Sequence, residues 1–241
     1  MQYMGGKHAI AKPLCYFLNQ QLELNQPFVD MFCGAVNIVI GIDPKRDRYA
    51  NDANPYLIAL WQHVQAGGEL PDVVTEEMHR DIRLNKGDYP PWMVAFVGFG
   101  CSFGGTFFKG YARGLEYAIS AKNGCYAKRD GLKDVRLSCM SYADFEPPTN
   151  ALIYCDIPYR NTHGYKFGDF KHDEFYSWAQ GMTEQGHSVF VSEYEQSTPE
   201  GWQVVWGRES IKGMRDSNGI QKQTREVLIA PAVTPVNGLL F

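Results

Sequence analysis

No stretch of these 241 residues approaches the roughly 18 uninterrupted apolar positions of a membrane-spanning helix. The N-terminus holds Lys7 and Lys12 but no apolar segment between a basic start and a small-residue cleavage site. A signal peptide is therefore not expected, and a cytoplasmic setting is. None of the six cysteines (Cys15, Cys33, Cys101, Cys125, Cys139, Cys155) forms a C-x-x-C pair, and no two histidines have zinc-ligand spacing. No metal site is expected, and the thiols read as reduced and mostly buried. A G-x-G-x-x-G turn is missing too, and with it the glycines that let backbone approach a pyrophosphate.

What is present fills a core: 44% of residues are hydrophobic and 14% aromatic, which argues against wholesale disorder. The net charge of −4 is wrong for a strong polyanion binder. Residues 80–136, however, hold ten Lys/Arg against five Asp/Glu. That local excess fits either a phosphate-facing patch or a solvated mixed face.

Apolar runs at Pro27–Met31, Ala151–Tyr154 and Ser188–Ser192 read as buried strands, and Glu226–Ala230 as another, stopped by Pro231. Helical patterns cover Tyr3–Gln21, Pro55–Gln65 and His172–Glu184, the last with Asp173 or the preceding polar residues as candidate cap. Strands alternating with helices predict an α/β sheet, parallel at its centre. Residues 61–136 carry helical stretches and a glycine-aromatic segment instead. They are expected to form an inserted, mainly helical subdomain within a domain made of 1–60 and 137–241.

Asp30 ends the first strand and leads into the small-residue turn Phe32-Cys33-Gly34-Ala35. About twenty residues on, Asp52 and Ala53 stand where an acid accepts from the hydroxyls of a ribose. Acids end many strands, so the pair is also readable as ordinary loop chemistry. Asp30 would repel a phosphate but suits an ammonium, which points from dinucleotides toward S-adenosylmethionine. Tyr3, Gly5, Gly6 and Lys7 form either a tight turn reaching a carboxylate or a glycine turn capping the first helix. Asp144 and Phe145 are either an adenine site, acid to amine and ring to face, or a surface turn.

The sharpest signal is Asp156-Ile157-Pro158-Tyr159, directly after a strand. An exocyclic amine on an aromatic base is a poor nucleophile because its lone pair is delocalised. Two acceptors aimed at its protons, the Asp156 side chain and the Ile157 carbonyl, hold that pair out of the ring. Pro158 keeps residue 157 extended, and Tyr159 offers a face for a flipped base. No metal is needed when the methyl donor is a sulfonium.

In order, Gly5-Gly6-Lys7, Asp30/Phe32/Gly34, Asn51/Asp52/Asn54, Ser141–Asp144, Asp156/Pro158/Tyr159 and Arg215/Ser217/Asn218/Gly219 with Glu226–Pro231 resemble the motifs of the Dam-type, D12-class DNA adenine-N6 methyltransferases, over nearly the whole chain. Ile157 departs from the usual first proline, and Met31 and Ala35 depart within the cofactor motif. The resemblance implies a Rossmann-like S-adenosylmethionine-dependent methyltransferase fold with an inserted target-recognition subdomain. It also implies base flipping and double-stranded DNA as partner, for a monomer or weak dimer. A cytosine-N4 enzyme and an inactive DNA-binding relative remain the rivals. It places Lys109, Tyr111 and Arg113 of the insertion at the DNA or the site rim. Arg160, Asn161 and Tyr165 would lie beside the target base, and Lys212, Arg215 and Asn218 on phosphates. Ser192–Glu195 would line the base pocket, with a structural role equally open for Glu195. Phe96, Phe99 and Phe103 are expected to pack the insertion against the sheet.

Overall fold

The computed structural model describes residues 6–113, 116–159, 170–215 and 221–237, with residues 209–215 and 221–224 described by their backbone. Tyr3, Gly5, Arg160, Asn161, Tyr165 and Asn218 lie outside the described residues, as do the side chains of Lys212 and Arg215.

A single seven-stranded sheet organises the chain, in the order β3-β2-β1-β4-β5-β7-β6. Its strands are β1 (Phe28–Asp30), β2 (Arg48–Asn51), β3 (Val135–Ser138), β4 (Leu152–Cys155), β5 (Ser188–Tyr194), β6 (Trp202–Arg215) and β7 (Gln221–Pro231). β1 to β5 pair in parallel, and β7 runs antiparallel between β5 and β6. This is a doubly wound, Rossmann-like order with a hairpin closing one edge. The four strands expected from apolar runs are all present. β2 and β3 escape that reading because each is short and half polar, and β6 because glycines and charges interrupt it.

Side-chain alternation explains why the central strands read as continuous apolar runs. Phe28, Leu152, Tyr154, Phe190 and Leu228 enter one core, while Val29, Ile153, Cys155, Val191 and Ile229 enter a second. Both faces of each strand are buried, so both parities must be apolar. Helix α1 (Ala11–Gln21) fills the first core with Leu14, Phe17 and Leu18. Chain order introduces α2 (Pro55–Gln65), α3 (Glu76–Leu84), α4 (Pro91–Ala95), α5 (Tyr117–Tyr126), α6 (Arg129–Leu132) and α7 (His172–Glu184). α7 covers the second core with Phe175, Tyr176 and Ala179. Its expected side-chain cap is missing: Lys171 holds the cap position without such a bond, and Asp173 and Glu174 meet the helix dipole in the first turn instead.

Between β2 and β3 the described residues contain helices α2 to α6 and no strand of the sheet. α4 continues into a π-helical turn, Phe96–Gly100, of the kind that often marks functional sites. Gly98 is required there, because a Cβ would meet the Phe107 ring at 2.5 Å. Phe96 and Phe99 are buried as expected, but Phe103 is 69% exposed. Gly104, at φ +65°, and Gly105, at φ +66°, turn the chain back immediately after it and leave its ring outside the core. Among the described residues no helix is long and apolar enough to cross a membrane.

Candidate active site

The strand order reverses between β1 and β4, and a crevice opens beyond their carboxyl ends, as in doubly wound sheets generally. A cavity of about 440 Å³ lies there, lined by Asp30, Asp52 and Asp156. Its apolar wall includes Phe32, Ile38, Phe107 and Phe170. The size suits a small organic ligand. Three acids around it favour a cation.

Each acid is fixed by its own loop. Asp30 Oδ2 accepts from the Val39 amide at 3.2 Å, whereas buried Oδ1 has no hydrogen-bond partner among the described residues. Burial first, then the charges of Asp156 and Asp52, push the Asp30 carboxyl well above its ordinary range. A ligand ammonium would satisfy the orphaned oxygen and reverse that shift. Asp52 takes the Gly34 amide on Oδ2 and the Asn54 amide on Oδ1, each at 2.9 Å. A carboxylate has lone pairs left for two hydroxyls after those bonds. Burial raises Asp52, and the two amide bonds oppose the rise.

The residues flanking Asp52 position it. Asn51 donates to the Met140 carbonyl at 2.9 Å and accepts from the Met140 amide at 3.1 Å and the Ser138 hydroxyl at 3.0 Å, joining the loops after β2 and β3. Asn54 caps α2, accepting from the Tyr56 and Leu57 amides, and Pro55 opens the helix. Gly34, at φ +43°, sits opposite, with its carbonyl held by the Trp61 indole at 2.8 Å.

The segment Asp156–Tyr159, expected to be catalytic, follows β4 directly. Asp156 Oδ1 lies 2.6 Å from the Lys7 ammonium, which also lies 2.8 Å from Glu226 on β7. Burial lifts Asp156 to about 6 against the pull of Lys7. The Tyr159 hydroxyl donates to Glu226 at 2.6 Å and accepts from Lys7, whose ammonium stands 4.5 Å from the ring centroid. Tyr194 of β5 packs edge-on against the same ring at 4.6 Å. The Ile157 side chain is buried in the second core, so packing fixes the peptide that lacks the usual proline. His172, at the start of α7, bonds the Pro158 carbonyl at 2.8 Å.

Of the expected residues, Gly6, Lys7, Asp30, Phe32, Cys33, Gly34, Asp52, Ala53, Asp156 and Pro158 line the cavity. Asp144 and Phe145 do not: Asp144 is exposed and Phe145 sits in the second core, while Met140, Ser141 and Tyr142 of the same segment line the wall. The tight turn after Ser141, whose carbonyl accepts from both the Asp144 and Phe145 amides, turns that acid outward. Of Ser192–Glu195, Ser192 bonds the Tyr154 hydroxyl, Glu193 is fully buried, Tyr194 packs against Tyr159, and Glu195 pairs with Arg225 at 2.9 Å.

Among the expected DNA contacts, Lys109 is exposed. Tyr111 gives its hydroxyl to the Val74 carbonyl at 2.8 Å and its ring to His79. Arg113 is exposed and pairs with Glu76 at 2.8 Å. The local positive excess is partly spent indoors: Arg129 donates to the Val64 and Gly68 carbonyls, and buried Lys128 donates to the Ala35 carbonyl and to Asn37. Sequence reasoning missed Asn37 and Phe107 as site residues, and it placed Glu226 in the closing strand motif without giving it a part in the site. It also missed that the insertion's Phe99, Gly105 and Thr106 form part of the cavity wall.

Sheet order and the acids at its reversal point define a Rossmann-like domain with an acid-lined crevice. Residues 3–89 match the family described as D12 class N6 adenine-specific DNA methyltransferase, which supports the resemblance read from the motifs. The matched segment includes Lys7, Asp30 and Asp52; Asp156 lies beyond it. Similar solved structures include the complex of aTrm5 with tRNALeu, at 12% identity and TM-score 0.39, covering 91% of this chain and 45% of that one. Another is a protein described as a class I S-adenosylmethionine-dependent methyltransferase from Listeria monocytogenes, at 10% identity and TM-score 0.41, covering 96% of this chain and 63% of that one. A third is described as a methyltransferase complexed with SAH, at 13% identity and TM-score 0.36, covering 97% of this chain and 56% of that one. This chain thus spans less than two thirds of the length of each. No curated protein matches significantly.

Proposed function

We propose that the protein methylates N6 of an adenine in double-stranded DNA, using S-adenosylmethionine and a base turned out of the duplex. The observation that carries this reading is Asp156, followed by Ile157 and Pro158, at the edge of a cavity that also holds Asp30 and Asp52. Asp30 would take the donor's ammonium and Asp52 its ribose hydroxyls, with Phe32, Met140 and Tyr142 around them. The bound donor supplies an activated methyl group.

The residues of the chain do the rest. Asp156 and the Ile157 carbonyl accept the amine's two protons and turn its lone pair toward the methyl group; burial strengthens both bonds. Pro158 and the buried Ile157 side chain keep that carbonyl in a fixed direction. The Tyr159 ring, held by Glu226, Lys7 and Tyr194, would stack on the base. Exposed Lys109, Arg113 and Phe103 would face the duplex, two as phosphate contacts and one as a stacking ring. The division into a 1–60 plus 137–241 catalytic part and a 61–136 recognition part belongs to the same proposal.

The test is to incubate the protein with unmethylated duplex DNA and labelled S-adenosylmethionine, then digest to nucleosides. Labelled N6-methyldeoxyadenosine is expected, and Asp156→Ala should lose about a hundredfold or more of the rate. Label in N4-methyldeoxycytidine would reassign the base. DNA binding without methyl incorporation would leave a non-catalytic binder.

A further inference from the structure

Glu226 stands opposite Tyr194 on β5 and Arg208 on β6. Its Oε1 meets two donors from other elements, the Tyr159 hydroxyl at 2.6 Å and Lys7 Nζ at 2.8 Å. The same Nζ is 2.6 Å from Asp156 Oδ1. One ammonium therefore joins the carboxylate at the cavity to a carboxylate on β7, two strands along the sheet from β4. Asp156 keeps 19% of its side-chain surface exposed, Lys7 7% and Glu226 17%; a base bound over Asp156 would cover that end and leave Glu226 as the end open to water.

Methyl transfer to an amine, the reaction proposed above and the basis of this inference, leaves a proton to export. The N–CH3 bond forms, the S–CH3 bond breaks, its electron pair stays on sulfur, and the nitrogen must shed one hydrogen as a proton. In a site closed around two ligands, that proton needs a path through the protein. We propose that Glu226 is its outlet: Asp156 takes the proton from the amine, and Lys7 passes one to Glu226 while receiving the one on Asp156. Lys7 ends as it began, and Glu226 releases the proton to water.

The surroundings suit each step. Asp156, lifted by burial to about 6, is a better proton acceptor than an ordinary carboxylate. Burial alone would lower Lys7, but Asp156 and Glu226 outweigh it and hold the lysine above its usual value. A concerted exchange leaves no neutral amine between two carboxylates. Among the described residues, the charged and titratable groups around Glu226 include Lys7, Tyr154, Asp156, Tyr159, Tyr194 and Arg208, and the Arg208 guanidinium is engaged by the Ala9 carbonyl at 3.2 Å. Arg225, the preceding residue, is engaged by Glu195.

Glu226→Gln tests the route, since glutamine keeps the shape and hydrogen bonds but takes up no proton. Single-turnover methyl transfer by the full chain should fall on the order of a hundredfold, with cofactor and DNA affinity unchanged. Glu226→Asp should recover part of the rate, and added formate should speed Glu226→Ala in proportion to its concentration. A Glu226→Gln enzyme with the wild-type rate and pH profile overturns the route. So does one whose rate falls only in step with lost cofactor binding, which is a purely structural effect. An inactive wild type would sink the methyltransferase reading and the route together; an active wild type indifferent to Glu226→Gln sinks the route alone.

Discussion

Asp156 ties the pH response of the site to its burial. Its carboxyl rises from 3.8 to about 6, so the folded state holds its proton more tightly than the unfolded chain. The stability this adds is fully present below the unfolded value and is lost as pH rises through about 6. Catalysis runs the other way, because only the ionised form accepts freely from the amine. Single-turnover methyl transfer should climb about tenfold per pH unit up to the Asp156 value and then level off, as rapid-quench measurements can show. Replacing Ile157 probes the neighbouring peptide: Ile157→Ala should cost about 2–5 kcal/mol of stability, read by denaturant unfolding, and lower the methyl-transfer rate as well. Asp30, Asp52 and Asp156 were legible in the sequence because an acid where a strand ends must face the crevice. Asp144 was not, since the turn that points it outward depends on backbone bonds that no spacing encodes.

The helical segment between β2 and β3 meets the loop after β1 through a few donors. Trp61 of α2 bonds the Gly34 carbonyl, and Lys128, just before α6, bonds the Ala35 carbonyl and Asn37, which lines the cavity. Burial lowers Lys128 to about 8. S-adenosylmethionine affinity should therefore weaken as pH rises through about 8 and the charged donor is lost. Lys128→Met should bind about tenfold more weakly, the equivalent of about 1.4 kcal/mol, and show no such pH step; titration calorimetry on both proteins checks this. Elements differed in legibility for a physical reason. α2 announces itself with Asn54, Pro55 and a strong apolar face, and β4 with an unbroken apolar run. β6 pairs with a neighbour through backbone bonds that tolerate glycine and charge, so its sequence carries no strand period.

At the scale of the molecule, sheet, insertion and N-terminal turn all contribute walls to one cavity, so its ligand should stabilise the whole fold. S-adenosylmethionine at about 100 times its Kd adds about 2.7 kcal/mol, or about 5–11 °C in Tm for a chain of this size. A melting curve unmoved by the ligand would count against the cavity as its site. The distribution of charge also became clear only in three dimensions. A basic stretch of sequence resolves into exposed Lys109 and Arg113 on one hand and inward-turned Lys128 and Arg129 on the other.

Asn54 begins α2 two residues after the acid that would grip the ribose, and Trp61 of that helix, the first residue of the proposed recognition part, holds the facing loop. On the proposed reading, any tilt of that part on a duplex would reach the nucleoside seat through a lever one helix long. Thermodynamic reciprocity then fixes the traffic in both directions: by whatever factor DNA tightens the donor, the donor must tighten DNA.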